Sequence, residues 1–286
     1  ARTLNIPSIC MITHFVLDGL VSYLGFRTIV RYMLTTIPHL PKIMRWRKQM
    51  AKTFGKDKVG GITDYSDLNI VFTSEAFHPP NTFIDKRFQF VGASIDAREG
   101  SFPFEELGKS PIVYISLGTI NHLNLTFYHK TFEAFKDYPA QFILSVGQYT
   151  DIQALGDIPA NFIVKNFVPQ LDILARSTVF ITHGGMNSVH EGLYYGVPEI
   201  VIPQQMEQYA NGKRVADVGS GVLLGKKYPF GQVTVAELRQ AMDTTLNDPN
   251  YRINAEHYGQ TLKDAGGFEQ AITLIEGYLS ADRTSS

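Results

Sequence analysis

Short apolar runs rich in β-branched residues recur along the chain from residue 112 onwards. They do not alternate between apolar and polar positions, which is typical of strands covered on both faces. The runs predict six strands, at residues 112–116, 142–146, 162–164, 179–182, 199–202 and 221–224. Helical patterns separate most of them, and this alternation predicts right-handed βαβ units in a doubly wound parallel sheet.

Two helices near the end have clear signals. Thr234 and Glu237 form a capping box ahead of an apolar stripe at helical spacing, which predicts a helix start. A last helix is predicted over residues 268–281 and is a candidate to pack back on the first part of the chain. Its predicted apolar stripe comprises Phe268, Ala271, Ile272, Ile275 and Leu279.

The first part of the chain has a different pattern. An apolar run at 8–12 is followed by predicted helices at 15–36 and 38–54 and by predicted strands at 69–73 and 88–91. Residues 92–110 are rich in Gly, Pro, Ser and charge, as linkers are. We therefore predict two regions, 1–103 with a linker that starts near residue 92, and 104–286.

The composition is that of a globular protein: of 286 residues, 44% are hydrophobic and 19% charged. Cys10 is the single cysteine, which excludes an internal disulfide framework and fits a reducing, cytoplasmic location. No segment is apolar and long enough to predict a membrane span; the best, residues 12–34, contains His14, Asp18, Arg27 and Arg31.

A net charge of −1 gives no electrostatic indication of nucleic-acid binding. Between Arg27 and Lys58, however, nine residues are basic and one is acidic. A solvated helix face is the favoured interpretation of this run. Contact with an anionic membrane surface or an acidic acceptor is the alternative that we do not favour.

The strongest chemical motif is HGGMNSVHE at residues 183–191, directly after a predicted strand. Glycines allow a tight turn, and the unpaired amides of the next helix start form a phosphate site. Asn187 and Ser188 add donors, and His183 can donate to a phosphate oxygen. Glu191 lies one helical turn beyond Asn187, where it can accept hydrogen bonds from a ribose diol. An ordinary capped strand–turn–helix is the alternative, and the carboxylate favours nucleotide binding.

Three further loops follow other predicted strands. The sequence SLGT (116–119) offers a small hydroxyl and a glycine, FVPQ (167–170) offers a ring for stacking and an amide, and PQQMEQ (203–208) offers an acid and amides for sugar hydroxyls. Each is weak alone, and Phe167 could equally be a core residue. Four loops at one sheet edge nevertheless match the base, ribose, phosphates and sugar of one nucleotide-sugar.

These motifs, in this order and together with GVP at 196–198, resemble the donor-binding signature of UDP-dependent glycosyltransferases, especially bacterial macrolide and flavonoid types. The resemblance implies an α/β fold of GT-B type, with two facing Rossmann-like domains, the second complete and the first incomplete. It implies that Phe167 stacks on the uracil, that Gln170 meets the base edge and that Glu191 binds the ribose. It assigns the diphosphate to His183, Asn187 and Ser188, with Ser116 and Thr119 nearby, and the sugar to Glu207 and Gln208. Val168, Gly118 and Gly185 complete the predicted donor-binding set.

The resemblance also implies a catalytic His, oriented by an Asp, near the start of the first domain. We expect both upstream of Ala1, because no histidine of the first region stands in a matching motif. His14 follows a predicted strand and is a candidate for the acceptor pocket. Plant members of the family usually have Trp where this chain has Phe167 and Asp where it has Glu207, which leaves the accepted sugar open.

The predicted function is inverting transfer of a hexose from a UDP-sugar to a hydroxyl of a small, hydrophobic acceptor. No Asp-rich motif is present, so we expect no metal, and no cofactor beyond the UDP-sugar co-substrate. One alternative is a donor-binding half that needs the missing N-terminal segment or a partner chain. A second is a UDP-sugar epimerase on the same fold.

Overall fold

The structure is a computed structural model that describes residues 6–17, 23–55, 65–96, 100–118 and 124–284. It contains two parallel β-sheets, one of three strands and one of six. The three-stranded sheet consists of β1 (Ile9–Ile12), β2 (Leu68–Val71) and β3 (Phe88–Phe90), in that order. The predicted strands of the first part of the chain are thus present, with slightly shorter bounds.

The six-stranded sheet has the order β6-β5-β4-β7-β8-β9, and all its strands are parallel. The chain proceeds outward from β4 to β6, returns to the middle and proceeds the other way, so the order reverses between β4 and β7. Ligands bind at such a switch point, past the carboxyl ends of the strands. The strands are β4 (Ile112–Ser116), β5 (Gln141–Ser145), β6 (Phe162–Lys165), β7 (Val179–Thr182), β8 (Glu199–Val201) and β9 (Gly221–Leu223).

Helices cover both faces of this sheet, which explains the continuous apolar strands. On one face α3 (Leu125–Phe135) and α7 (Val235–Asn247) pack on the sheet. On the other, α5 (Met186–Tyr194) packs against α8 (Pro249–Asp264). The remaining helices that follow this sheet's strands are α4 (Gln170–Leu174) and α6 (Met206–Asp217), and short 3-10 turns lie at Phe104–Glu106 and Ile152–Leu155.

The helix signals at the end are confirmed in part. The Thr234–Glu237 capping box is present at the start of α7. The last helix, α9 (Gly267–Thr284), packs on the three-stranded sheet, where Ala271 is buried with Leu68 and Ile70. The predicted stripe was wrong in register: Phe268, Ile272 and Leu279 are exposed, because the buried face of α9 runs instead through Ala271, Leu274, Ile275 and Tyr278.

The helix predicted at residues 15–36 was also wrong in extent. Phe15 and Val16 are buried in a segment without helical structure, whereas Tyr23 and Leu24 are helical and α1 (Phe26–Thr36) follows them; residues 18–22 lie outside the described residues. The backbone N–H of Val16 donates to His78 rather than to a helical carbonyl, which explains the difference. A 3-10 turn (Ile37–His39) leads into α2 (Leu40–Phe54). None of the described helices is long and apolar enough to cross a membrane.

The segment after β2 joins the two parts of the chain. Thr73 Oγ1 lies 3.1 Å from His190 Nε2 on α5, and Ser74 hydrogen-bonds Thr261 on α8 at 2.8 Å. Arg214 on α6 donates to two carbonyl oxygens of the same segment, those of Ala76 and Phe77. These bonds place the first sheet beside the helix that carries Glu191.

Candidate functional site

A cavity of about 880 Å³ lies at the switch point between β4 and β7. The register places Ser116, the last residue of β4, beside Thr182, the last residue of β7, so the loops after both strands meet there. Eleven residues predicted for donor binding line this cavity: Ser116, Gly118, Phe167, Val168, Gln170, His183, Gly185, Asn187, Ser188, Glu191 and Glu207. Thr119 lies outside the described residues.

The turn between β7 and α5 has the geometry that its glycines predict. Gly184 has a φ of +83°, a conformation that side-chain-bearing residues rarely adopt. Gly185 is the N-cap of α5, and no side chain caps the helix start. A helix start leaves its first amides without intrahelical acceptors and carries partial positive charge. With Asn187 and Ser188 in the first turn, this end of the cavity suits a phosphate.

His183 lies between two glycines, Gly118 and Gly185. A Cβ atom at Gly118 would lie 2.6 Å from the ring's Cε1, and one at Gly185 would lie 2.7 Å from Nε2. Neither position therefore accommodates a side chain while the ring stays in place. Burial lowers the pKa of His183 to about 4, and a contact with the Ser116 backbone offsets this only in part. The imidazole is neutral at pH 7 and offers one N–H as a donor.

Gln170 and Glu191 are neighbours, although 21 positions separate them in sequence. Gln170 Nε2 donates to Glu191 Oε2 at 2.5 Å, and the hydroxyl of Tyr114 donates to Gln170 Oε1 at 3.0 Å. Both ends of the Gln170 amide are thus engaged within the protein. These bonds place Gln170 with the carboxylate predicted for the ribose, and a contact of its remaining N–H group with the base edge stays a prediction.

The side chain of Phe167 is 68% exposed and borders the cavity, whereas Val168 is buried beside it. A core role for Phe167 is therefore excluded, and the ring is available for stacking. Four further residues that line the cavity were not predicted from the sequence: Ser145, Gly147, Gln148 and Asn166. Asn166 Nδ2 donates to the carbonyls of Gly147 and Thr150 and so ties the loop after β5 to the loop after β6.

Glu207 and Gln208 differ in their surroundings. Glu207 lines the cavity, and its carboxylate accepts a short hydrogen bond from Asn211 one turn along α6. Gln208 is buried, and its Oε1 accepts the backbone N–H groups of Gln204 and Gln205 at 2.8 and 3.2 Å. It completes a capping box at the start of α6. The side-chain oxygen of Gln208 is thus part of the helix cap, and a contact between its NH₂ group and the sugar stays a prediction.

A second, largely apolar cavity of about 700 Å³ shares Glu207 with the first. His14, the candidate acceptor residue, lines this second cavity. The second part of the chain also contributes to this cavity, which the sequence did not indicate. Its lining includes Phe15, Leu17, Leu24 and Tyr32 from the first part and Gln204, Met206, Ala210 and Tyr228 from the second.

The described residues contain no group of three or more His, Cys, Asp or Glu side chains arranged to hold a metal ion. The donors of the first cavity are instead backbone amides, a neutral histidine, and side-chain amide and hydroxyl groups.

Residues 130–264 match the family model described as "Erythromycin biosynthesis protein CIII-like, C-terminal domain". The chain is 34% identical to the uncharacterized UDP-glucosyltransferase YojK of Bacillus subtilis, across 96% of this chain and 68% of that protein. The chain belongs to the bacterial UDP-glycosyltransferase family. The NDP-glycosyltransferase YjiC of Bacillus licheniformis is 41% identical over 74% of this chain and 54% of its own length.

Similarity to solved glycosyltransferase structures confirms the predicted fold class. The glycosyltransferase of kitacinnamycin superposes on 98% of this chain and 72% of its own, with a TM-score of 0.78 and 27% identity. The fold is the GT-B type, with two Rossmann-like domains. The match spans about two thirds of the length of YojK and just over half of the length of YjiC.

Proposed function

We propose that the chain's site transfers a hexose from a UDP-sugar to a hydroxyl of a small, hydrophobic acceptor, with inversion and without a metal. The observation that supports this most is the adjacency of the two cavities. A cavity lined by nucleotide-type donors and a largely apolar cavity both include Glu207. A donor sugar bound at Glu207 would therefore face an apolar acceptor on its other side.

In the proposed reaction, an acceptor oxygen attacks the anomeric carbon while the bond from that carbon to the diphosphate breaks. The electron pair of the broken bond leaves with UDP, and the acceptor proton passes to a base. The amides at the start of α5 and the N–H of neutral His183 lie where they would stabilise the departing charge. These donors are our reason for proposing metal-independent departure.

Within the donor cavity we propose that Phe167 stacks on the base, that Glu191 accepts hydrogen bonds from the ribose, and that Asn187 and Ser188 hold the diphosphate. The geometry assigns no base. Among the described histidines, His14 and His183 line the two cavities, and His183 is on the phosphate side. We keep His14 as a pocket residue, and the base is expected from an N-terminal histidine, as the family resemblance implies.

The test combines calorimetry with UDP and a transfer assay with UDP-glucose and a polycyclic phenol, with and without EDTA. Transfer to a β-glucoside that EDTA does not slow supports the proposal. UDP binding without transfer supports a donor-binding half that needs a further segment or partner. Interconversion of UDP-glucose without an acceptor supports an epimerase, and absence of UDP binding overturns the proposal.

A further inference from the structure

Tyr114 is a buried residue of the central strand β4 whose hydroxyl reaches the cavity. Its ring stacks on Phe180 of β7, with centroids 5.0 Å apart and planes within 9°. The residue is 1% exposed, yet it borders the donor cavity. A buried tyrosine hydroxyl needs a hydrogen-bond partner, and this one donates to Gln170 Oε1 at 3.0 Å.

The direction of the hydrogen bonds follows from the chemistry of the three groups. An ionised carboxylate only accepts, so Gln170 must turn its NH₂ group towards Glu191. Its carbonyl oxygen then faces Tyr114, whose hydroxyl must donate. The 2.5 Å bond from Gln170 to Glu191 and the 3.0 Å bond from Tyr114 therefore form one chain with a single allowed orientation.

We propose that Tyr114 is a positioning residue for the donor nucleotide: through Gln170 it orients Glu191 to distinguish a ribose from a 2′-deoxyribose. This inference rests on the proposed function, because it takes the ribose to be the group that Glu191 binds. The rings of Tyr114 and Phe180 fix the hydroxyl on the most central part of the sheet. The Glu191 side chain is 3% exposed, and its carboxylate accepts a hydrogen bond from Gln170. A rotation of the Gln170 amide therefore removes a partner that orients the carboxylate oxygens of Glu191.

Tyr114→Phe keeps the stacked ring and removes only the hydroxyl. The side-chain oxygen of Gln170 then loses its hydrogen bond to Tyr114, and nothing holds the Gln170 amide in one orientation. We expect UDP to bind about 3- to 10-fold more weakly, which is the range given by one net hydrogen bond. The affinity for 2′-deoxy-UDP should fall by a smaller factor. The readout from calorimetry is the dissociation constant of 2′-deoxy-UDP divided by that of UDP, and this ratio should fall towards one. A loss of packing alone would weaken both nucleotides equally.

Tyr128→Phe is the matched control, because Tyr128 is as deeply buried and its hydroxyl donates to the Val146 carbonyl at 3.4 Å. Its ratio should equal that of the unaltered chain. Gln170→Met is a second variant, which removes the link between Tyr114 and Glu191 without touching the central strand. It should lower the ratio as Tyr114→Phe does, and the double variant should add nothing further.

The outcomes separate this inference from the proposed function. If the unaltered chain fails to bind UDP, the proposed function is overturned. If it binds UDP and 2′-deoxy-UDP equally well, or if Gln170→Met lowers the ratio while Tyr114→Phe does not, the role of Tyr114 is overturned and the proposed function stands. A ratio that falls in both variants, and stays unchanged in Tyr128→Phe, supports the inference.

Discussion

The Nε2 atom of His78 accepts the backbone N–H of Val16 at 2.9 Å, across 62 positions of sequence. The other ring nitrogen, Nδ1, is 2.7 Å from the carbonyl oxygen of Pro79, so Nδ1 carries the proton of the neutral ring. The bond holds the segment that places His14 and Phe15 at the apolar cavity. Protonation of Nε2 would abolish it.

We expect this contact to make the protein less stable as the pH falls. Burial lowers the pKa of His78 to about 4. The unfolded chain, with an ordinary histidine pKa, binds the proton first, so stability is complete above about pH 6.5 and is lost as the pH falls towards 4. At pH 5 the loss from His78 should be about 2 kcal/mol relative to pH 7.5.

The measurement is urea unfolding of the unaltered chain and of His78→Gln at pH 7.5 and pH 5. Glutamine can accept the Val16 N–H without titrating. Between pH 7.5 and pH 5 the free energy of unfolding of the variant should therefore fall by about 2 kcal/mol less than that of the unaltered chain. His257→Gln, at an exposed position, is the matched control and should keep the original pH dependence. If the free energy of unfolding fell equally in all three proteins between pH 7.5 and pH 5, His78 would not be the source of the pH dependence.

A second prediction concerns Glu199, at the start of β8. The residue is fully buried, and neither carboxyl oxygen has a hydrogen-bond partner among the described residues. Burial raises its pKa well above the usual range for a glutamate. The unfolded chain therefore ionises first, and stability falls as the pH rises above the ordinary glutamate value.

Glu199→Gln removes the ionisation but keeps the shape. We expect the variant to be more stable than the unaltered chain at pH 8, because glutamine does not ionise in the unfolded state. The gain should shrink at pH 5, where the native carboxyl is protonated. Glu133→Gln, at an exposed position on α3, is the control and should change stability little at either pH. A gain independent of pH would contradict the explanation.

Periodicity was enough to predict the six-stranded parallel sheet, and the resemblance of the motifs to a known family supplied the two-domain fold and the family. Local signals also located most donor-cavity residues, because the loops follow strands whose carboxyl ends must meet at one edge. The hydrogen bonds of Gln170 and Gln208 were not predictable in the same way. Gln170 bonds to Glu191, and Gln208 completes a helix cap. These partners depend on side-chain geometry that motif spacing does not specify.

Other misses have a common physical cause. Tyr114 and Glu199 lie within apolar strands, where a sequence pattern indicates burial but not which polar contacts the burial creates. Phe15 and Val16 have the apolar character of a helix face, yet the contact with His78 takes the backbone out of the helix. In each case a tertiary contact overrides a local preference.

The glycines beside His183 lead to a third prediction. Gly118→Ala would place a Cβ 2.6 Å from the His183 ring and also strain a backbone φ of +77°. We expect the ring to be displaced and UDP binding to weaken about 10- to 100-fold, the range for one hydrogen bond to a charged group. Calorimetry with UDP is the measurement.

Gly156→Ala separates the two effects. Gly156 has a similar φ of +67°, but nothing lies within 4 Å of the position that a Cβ would occupy. It should lower the free energy of unfolding by about 1–2 kcal/mol through backbone strain and leave the dissociation constant for UDP unchanged. A comparable loss of UDP affinity in both variants would show that strain, rather than the position of His183, determines binding.

The last prediction tests the ring of Phe167, which is 68% exposed at the border of the cavity. If the ring stacks on the base, Phe167→Ala should weaken UDP binding by about 1–3 kcal/mol, or roughly 5- to 150-fold, and Phe167→Trp should restore or strengthen it. Inorganic pyrophosphate, which has no base, should bind both variants as it binds the unaltered chain. Phe268→Ala, at an exposed position on α9, is the control. Equal weakening of UDP and pyrophosphate by Phe167→Ala would place the ring's contribution at the phosphates or in the fold, because a stacking partner affects only a ligand that has a base.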